Sequence, residues 1–323
     1  YAQIVAEELD WPLALVQVVL GDTARGPNQG PTIASTSIQL HAQPLRLAAA
    51  QARAWLQAEA AAQWGVPTNE ITCSAGELAH ANGQRLAAAR LLAGRHVELM
   101  LDPETPVKPV ADYRVVGQSV PRVDLPAKAT GGDVYVHDLR LPGMLHGRVV
   151  RPPYAGMDSG DFVGRCLAAV HRESIAHLPG IVQLVVEGDF IGIVAQREEQ
   201  AEAAMRALRV EWHPFTPLPP LDDLAQALSQ HPSTPRVVAE SGDVEQALAG
   251  AAQRMDRSYV WPYQMHASIG PSCAVADWQA EAGRLTVWAG TQNPHVLRAD
   301  LSRLTGLDDT AIEVLRLEAA GCY

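Results

Sequence analysis

Residues 284–294 read Arg-Leu-Thr-Val-Trp-Ala-Gly-Thr-Gln-Asn-Pro, in which a short polar loop joins a strand pattern to a helix pattern. Alternating apolar residues over 284–289 predict the strand. Asn293 followed by Pro294 is typical of the start of a helix, which we expect over 294–305. Between the two, Gln292 has an amide that could donate a hydrogen bond into a pocket above the sheet. The alternative is an ordinary strand-to-helix turn without a ligand.

Two further loops have the same character. Pro31-Thr-Ile-Ala-Ser-Thr-Ser37 precedes a helix expected over roughly 43–64, and Ala319-Ala-Gly-Cys-Tyr323 follows a strand expected over 312–317. Small side chains let a backbone approach a ligand closely, and hydroxyls with free N–H groups at a helix start can hold phosphate. An ordinary loop with a helix cap is the alternative for the first of them.

The composition predicts a folded, acidic protein of more than one domain. The chain has 323 residues, and 25 Lys and Arg against 36 Asp and Glu give a net charge of −11, which argues against a nucleic-acid binder. A hydrophobic content of 47% allows a sizeable core. No apolar run is long enough to suggest a transmembrane segment. The four cysteines (Cys73, Cys166, Cys273, Cys322) form no CxxC pair, so neither a metal–sulfur site nor a disulfide framework is expected from this chain alone.

Proline-rich stretches at 102–112 and 214–220 indicate an extended linker and a second boundary. The expected domains are 1–106, 107–215 and 216–323. Other expected elements are helices over 1–9, 86–93, 198–208, 221–230 and 243–251, and strands over 15–20, 134–136, 146–151, 181–186, 190–195, 209–212, 254–264 and 271–278. Because the first residues already have a helical pattern and the last follow a strand, we expect an internal piece of a longer polypeptide.

Standard catalytic and nucleotide-binding motifs are absent from the sequence: it has no GxxxxGK[ST], GxGxxG, HExxH or GxSxG. Longer motifs instead resemble one family, the molybdenum hydroxylases of the xanthine dehydrogenase/aldehyde oxidase type. Asp112-Tyr-Arg-Val-Val-Gly117 and the runs 121–131 and 135–148 are similar to that family's α/β hammerhead domain. Gly290-Thr-Gln-Asn293, with its following helix, strand and small-residue loop, resembles the family's first cofactor-binding domain.

Two other segments extend the resemblance. Residues 31–37 resemble the loop that holds the pterin's phosphates, and residues 263–276 resemble the segment that opens the molybdenum domain. The order, with a piece of a cofactor domain ahead of the hammerhead, is similar to bacterial isoquinoline 1-oxidoreductase and nicotinate dehydrogenase large subunits. The resemblance therefore implies a mixed α/β fold, in which a hammerhead domain is flanked by portions of molybdenum-cofactor-binding domains.

The same resemblance implies a reaction and its cofactors. An aldehyde or N-heterocyclic aromatic would be hydroxylated with water as the oxygen source. The cofactor would be molybdenum–molybdopterin, in its cytosine dinucleotide form, and electrons would leave through [2Fe-2S] clusters on a small iron–sulfur partner subunit. The enzyme would work in the cytoplasm or periplasm of a bacterium.

Roles for individual residues follow only from the resemblance. Gln292 would hydrogen-bond an oxygen ligand of molybdenum. The remaining cofactor contacts would come from Thr32, Ala34, Ser35 and Ser37 at the phosphates and from Gly290, Gly321 and Cys322 near the metal. No side chain of this chain is expected to ligate the metal, and the general base would lie beyond Tyr323, so these residues alone are expected to be inactive. Ala319-Ala320 and Cys322 depart from the glycines and the aromatic that many members have there.

A non-catalytic scaffold, which keeps the fold and binds only a partner subunit, is the main alternative. An unrelated α/β enzyme whose loops match by chance is a second. The cofactor hypothesis makes one structural prediction: residues 32–37 and 290–293 should converge on one cleft, although they are far apart in the chain. It makes a second for 113–213, which should be built from strands with a helix and not from a helical bundle.

Overall fold

The computed structural model describes residues 1–153, 166–214, 222–262 and 264–321. The α-helices of these residues are α1 (Ala2–Leu9), α2 (Ser37–Trp64), α3 (Ala88–Leu92), α4 (Leu125–Thr130), α5 (Glu198–Ala207), α6 (Leu224–Gln230), α7 (Val244–Gly250) and α8 (Pro294–Thr305). The strands are β1 (Ile71–Ser74), β2 (Glu77–His80), β3 (Arg85–Ala87), β4 (His146–Val150), β5 (Leu167–His171), β6 (Ile181–Glu187), β7 (Phe190–Ala195), β8 (Arg209–Trp212), β9 (Ala274–Gln279), β10 (Arg284–Ala289) and β11 (Ile312–Arg316). The expected mixed α/β class is confirmed.

Contacts divide the chain into two units. The first combines 1–139 with 266–323, and the second consists of 140–265. The first unit is therefore assembled from both ends of the chain. The loops singled out in the sequence all belong to it.

In the first unit, the long helix α2 packs on α1 and on the antiparallel sheet β1-β2-β3. Leu56 and Ala60, one turn apart on α2, are buried against Ile71 and Leu78 of the sheet. The helix ends at Gly65, whose φ of 68° is the left-handed conformation that glycine adopts readily. It begins at Ser37 and contains Pro44, so the expected start near residue 43 was several residues too late.

The first unit also contains the sheet β9-β10-β11. Strand β10 is antiparallel to β9 and parallel to β11, and helix α8 connects β10 to β11. Alternate β10 residues are buried with two residues of β11 under the apolar face of α8: Leu285, Val287, Ala289, Ile312 and Val314, against Leu297 and Leu301. Asn293 caps α8, and Gly306, with a φ of 73°, ends it, so the prediction of a helix over 294–305 is confirmed.

Three predicted strands are wrong. Residues 15–20, residues 134–136 and the described residues of 254–264 form no strand. Leu13–Leu15 and Val136–Asp138 are single 3-10 turns. An apolar alternation becomes a strand only where a neighbouring strand supplies a ladder of hydrogen bonds. The described residues of these three segments show an isolated bridge between Tyr135 and Glu318 but no such ladder.

In the second unit, β4-β7-β6 form an antiparallel sheet, and β5 pairs with β8. Ile191 and Ile193 of β7 are fully buried against Ala204 of α5. Helices α6 and α7 begin at Asp223 and Asp243, whose side chains each accept a backbone N–H. The described residues of 113–213 are thus rich in strands and are not a helical bundle, as predicted. Their assignment as a hammerhead domain over 107–215 stays a prediction.

Candidate functional site

Thr32 and Gln292 join two loops that are 260 positions apart in the chain. The Thr32 N–H donates to the Gln292 carbonyl oxygen at 2.9 Å, and the Gln292 Nε2 donates to the Thr32 carbonyl oxygen at 2.8 Å. Bonds in both directions fix the two loops relative to each other in position and in orientation. The prediction that 32–37 and 290–293 converge is confirmed.

The two loops border a cavity of about 910 Å³. Apolar lining residues come from 16–20, from α2 and from Leu99 and Leu101. Polar lining residues include Thr32, Ser37, Gly290, Thr291, Gln292, His295 and Arg316. A volume of this size is in the range of pockets for cofactor-sized ligands.

The expected site residues fall into three groups. Thr32, Ser37, Gly290 and Gln292 line the cavity. Ala34, Ser35 and Gly321 are exposed nearby in the chain but do not line it. Cys322 lies outside the described residues.

The loop before α2 has a strained backbone. Ala34 and Ser35 have φ values of 53° and 55°, a left-handed conformation that disfavours residues with a side chain. The turn is closed by Thr36, whose N–H and hydroxyl both donate to the carbonyl oxygen of Ile33. Strain of this kind, of order 1–3 kcal/mol per residue, concentrates at ligand clamps and active sites.

The loop that begins at Ala319 lies against the loop at 290–293. A Cβ built on Gly290 would lie 2.4 Å from the Cβ of Ala319, so the backbones approach as closely as they do only because residue 290 is a glycine. The Leu317 N–H donates to the Ala289 carbonyl oxygen at 3.2 Å and continues the pairing of β10 with β11 past their ends. Gly290 and Ala319 therefore both follow the carboxyl ends of parallel strands, the edge of a sheet where ligands commonly bind.

A charged cluster reaches the cavity through Arg316. Arg316 donates to Glu318 at 2.6 Å, and Lys128 pairs with Glu318 at 3.4 Å and with Asp124 at 2.8 Å. The hydrogen bond from Arg316 lowers the pKa of the Glu318 carboxyl, and its partial burial opposes that shift. With Arg122 on Asp124, three cations face two carboxylates, and Arg316 is the member that lines the cavity.

Sequence reasoning missed Gly21-Asp22-Thr23 as part of the site. These residues begin the segment 21–36, which contains the loop before α2 and is called the first loop from here on. The Asp22 Oδ1 accepts the N–H groups of Ala24 and Arg25 at 2.9 and 3.1 Å, and Asp22 pairs with Leu315 of β11 in an isolated bridge. An aspartate directly after a glycine is a recognisable turn signal. The partner of that turn, β11, is not visible in the local sequence.

No helix among the described residues is both long enough and apolar enough to cross a bilayer. The described residues also contain no group of three or more His, Cys, Asp or Glu side chains arranged to hold a metal ion.

Two family models match the chain, at residues 1–123 and 230–322, and both describe a molybdopterin cofactor-binding domain. The chain belongs to this molybdopterin cofactor-binding family of the molybdenum hydroxylases. Both matched segments contribute to the first unit, and the two hydrogen-bonded loops come one from each.

Two relatives show how similar the chain is to known proteins. The chain is similar to a nicotinate dehydrogenase chain of Pseudomonas putida, with 56% identity over all of this chain and 27% of that protein. It is similar to the beta chain of isoquinoline 1-oxidoreductase from Brevundimonas diminuta, with 25% identity over 94% of this chain and 44% of that protein. The chain thus spans less than half the length of either relative.

A solved structure shares the fold. Aldehyde oxidoreductase from Desulfovibrio gigas superposes with a TM-score of 0.50 and 18% identity, over 73% of this chain and 30% of that one.

The residues at the cavity fit a large ligand with phosphate groups. Within the described part of the chain, the hydroxyls of the cavity-lining Thr32 and Ser37 have no hydrogen-bond partner, so they remain available to phosphate oxygens. The hydroxyl of Ser35, which is exposed in the same loop but does not line the cavity, has no partner either. The Gln292 amide nitrogen uses one N–H on Thr32 and retains a second. The donors are neutral and numerous, which suits a cofactor held by many hydrogen bonds and not by one ion pair.

Proposed function

We propose that the cavity bordered by Thr32 and Gln292 binds the molybdenum–molybdopterin cofactor of a hydroxylase. The main support is the pair of hydrogen bonds between these residues. They join a loop from the matched segment 1–123 to a loop from the matched segment 230–322, and both segments match a cofactor-binding domain. The size of the cavity and the free hydroxyls around it support the same assignment.

Each loop has a distinct part in this proposal. Thr32, Ala34, Ser35 and Ser37 donate hydrogen bonds to the phosphates, from hydroxyls and from backbone N–H groups. Gly290, Gly321 and Cys322 let the backbone come close to the cofactor, and Gln292 directs its second amide N–H toward the reacting end. When bound, the cofactor supplies the redox chemistry of a hydroxylation that uses water as the oxygen source. The chain itself binds, orients and hydrogen-bonds.

The complete enzyme is proposed to hydroxylate an N-heterocyclic aromatic, with an aldehyde as the other candidate class. The name of the Pseudomonas relative points to nicotinate as the first substrate to test. We further propose the cytosine dinucleotide form of the cofactor and a small [2Fe-2S] partner subunit that removes the electrons, in the cytoplasm or periplasm of a bacterium. These 323 residues alone are expected not to turn over.

The backbone of the first loop offers a matched experiment. Ala34→Val places a β-branched side chain at a φ of 53°, and Ala75→Val does the same at a φ of 52° in the turn between β1 and β2. Both alanines are exposed, so the added strain is the same while the location differs. Molybdenum and released nucleotide are measured in the full-length polypeptide purified with its partners from a host that makes the cofactor.

We expect Ala34→Val to lower the molybdenum and nucleotide content and Ala75→Val to leave both at the wild-type level. Equal content in the two variants would remove the loop from the cofactor site. A wild-type protein that carries no molybdenum would instead support the scaffold alternative. Oxidation of nicotinate with an artificial electron acceptor then tests the substrate class separately.

A further inference from the structure

Thr23 is a buried threonine that joins the first loop to strand β11. It is 7% exposed, and Val314 of β11 is fully buried. The Thr23 N–H donates to the Val314 carbonyl oxygen at 3.1 Å, and the Thr23 hydroxyl oxygen accepts the Val314 N–H at 2.9 Å. The hydroxyl thus takes the place that a backbone carbonyl would occupy in a continuous strand pair.

The residues on either side complete this attachment. The Arg316 N–H donates to the Gly21 carbonyl oxygen at 2.7 Å. A Cβ on Gly21 would lie 2.5 Å from the Cβ of Arg316, and its φ of 71° also favours glycine. Residues 21–23 therefore lie directly against the free edge of β11.

This attachment and the Thr32–Gln292 pair hold the first loop at two points. Residues 24–31 lie between them and contribute Gly26, Pro27, Gln29, Gly30 and Pro31 to the cavity lining. Strand β11 pairs in parallel with β10, and β10 leads into Gly290–Gln292, so both points are fixed to the same sheet. Holding both ends of a loop reduces the conformational freedom that is lost when the loop orders around a ligand.

We propose that Thr23 is a positioning residue, whose hydroxyl sets where residues 24–36 lie against Gly290–Gln292 and thereby slows release of the bound cofactor. Thr23 itself does not line the cavity, so it acts through the loop. The effect on the cofactor rests on the proposed function, whereas the effect on the loop does not.

The test substitutions remove or keep the hydroxyl of Thr23. Thr23→Val keeps the shape but leaves the buried Val314 N–H without an acceptor, and Thr23→Ser keeps the acceptor. The control is Thr305→Val, because the Thr305 hydroxyl oxygen also accepts a backbone N–H, that of Leu307 at 3.3 Å, at the end of α8 that is distant in sequence from Gln292. Hydrogen–deuterium exchange is measured on the cofactor-free full-length polypeptide, and cofactor release on the loaded protein.

In the cofactor-free protein we expect Thr23→Val to speed exchange over 24–36 on the order of tenfold, with β10 and α2 unchanged and with Thr23→Ser and Thr305→Val like the wild type. Cofactor release should accelerate by a similar factor in Thr23→Val alone. Unchanged exchange over 24–36, exchange that rises equally throughout the first unit, or no rescue by serine would each overturn the positioning role. A loosened loop with unchanged cofactor release would support the attachment by Thr23 and overturn the assignment of this loop to the cofactor.

Discussion

Glu7 and Lys108 are 101 positions apart in the chain and form a salt bridge of 2.9 Å between side chains that are both buried. Lys108 also contacts Asp10, and its backbone N–H donates to Glu8 at 3.0 Å. Glu7 in addition accepts the backbone N–H groups of three successive residues, Arg114, Val115 and Val116. Helix α1 and the stretch 108–116 are therefore held together by buried charges, so the proline-rich segment is bound to the first unit and is not a free linker.

Glu7 should make the free energy of unfolding depend on pH. Burial alone would raise the pKa of its carboxyl, but the hydrogen bonds from Val115, Val116, Lys108 and Arg114 outweigh it and lower that pKa to about 2. A lowered pKa stabilises the fold above the unfolded-state value of 4.5, and the contribution is lost as the pH falls from there toward 2. At neutral pH it is worth roughly 3 kcal/mol at 1.36 kcal/mol per pKa unit.

The test is Glu7→Gln, followed by urea unfolding at several pH values. The difference in the free energy of unfolding between variant and wild type should be largest near neutral pH and should shrink below pH 4.5. Glu59→Gln is the control, because Glu59 pairs with Arg95 at 2.7 Å on the surface and should show little loss at any pH. A pH-independent difference for Glu7→Gln would contradict the assignment.

Lys108→Met should be strongly destabilising. Burial lowers the pKa of the Lys108 ammonium, but its hydrogen bonds to Asp10 and Glu7 raise it above the ordinary value, so the group is charged in the fold. Its removal leaves the buried Glu7 carboxylate without its cation, which typically costs about 3–5 kcal/mol, whereas Asp10 is partly exposed and still pairs with Arg53. Lys128→Met, which also removes a lysine from two carboxylates but at a more exposed position, should lose much less. A loss no greater than that of Lys128→Met would show that the Glu7 carboxylate is satisfied by the backbone N–H groups alone.

The elements that the sequence predicts well are those fixed by local signals. Helix α8 has its cap at Asn293, a proline at its first position and Gly306 after its end, all within one window of the chain. The loops at 32–37 and 290–293 could be identified for the same reason, since small and polar residues at element ends are a local pattern.

What the sequence could not give are contacts between distant residues. The run 15–20 alternates like a strand, but pairing with β11 begins only at Asp22. Thr23 looks like any loop threonine until Val314, 291 positions later, lies against its hydroxyl. The buried position of Lys108 likewise depends on Glu7 and Asp10 in α1, and lysine between prolines otherwise predicts an exposed linker.

Gly290→Ala should separate the loop at 290–293 from the loop that begins at Ala319. The new Cβ would lie 2.4 Å from the Cβ of Ala319, far inside van der Waals contact, so one backbone must move. We expect a loss of about 1–3 kcal/mol in the free energy of unfolding, measured by urea denaturation. Gly147→Ala is the control, because its Cβ would meet only the Ile193 carbonyl oxygen at 3.9 Å.

The contact between residues 290 and 319 also predicts that a second substitution restores stability. Ala319→Gly removes the methyl group that Gly290→Ala would strike, so the double variant should regain most of the lost stability. Simple additivity of the two single variants would mean that the strain arises elsewhere.

Gln292→Ala should lower the turnover of the complete enzyme more than it lowers its molybdenum content. The substitution removes the amide that bonds the Thr32 carbonyl at 2.8 Å and the second N–H that we assign to the reacting end of the cofactor. A hydrogen bond to a charged group is worth roughly 1.5–3 kcal/mol. Its loss should reduce turnover on the order of tenfold to a hundredfold, at about 1.4 kcal/mol per decade. The Thr32 N–H bond to the Gln292 backbone survives, and the hydroxyls of residues 32–37 are unchanged, so molybdenum should stay bound.

Gln57→Ala is the matched control for this prediction. The Gln57 Nε2 donates to the Ile71 carbonyl oxygen at 2.8 Å, so the control loses the same kind of bond in the same unit but outside the cavity lining. Molybdenum content and turnover are measured together on both variants. Reduced turnover at full occupancy in Gln292→Ala alone would support a role at the reacting end of the cofactor, because loss of a structural amide bond would slow both variants. Unchanged turnover at full occupancy would remove Gln292 from the site, and complete loss of molybdenum would make it an anchoring residue instead.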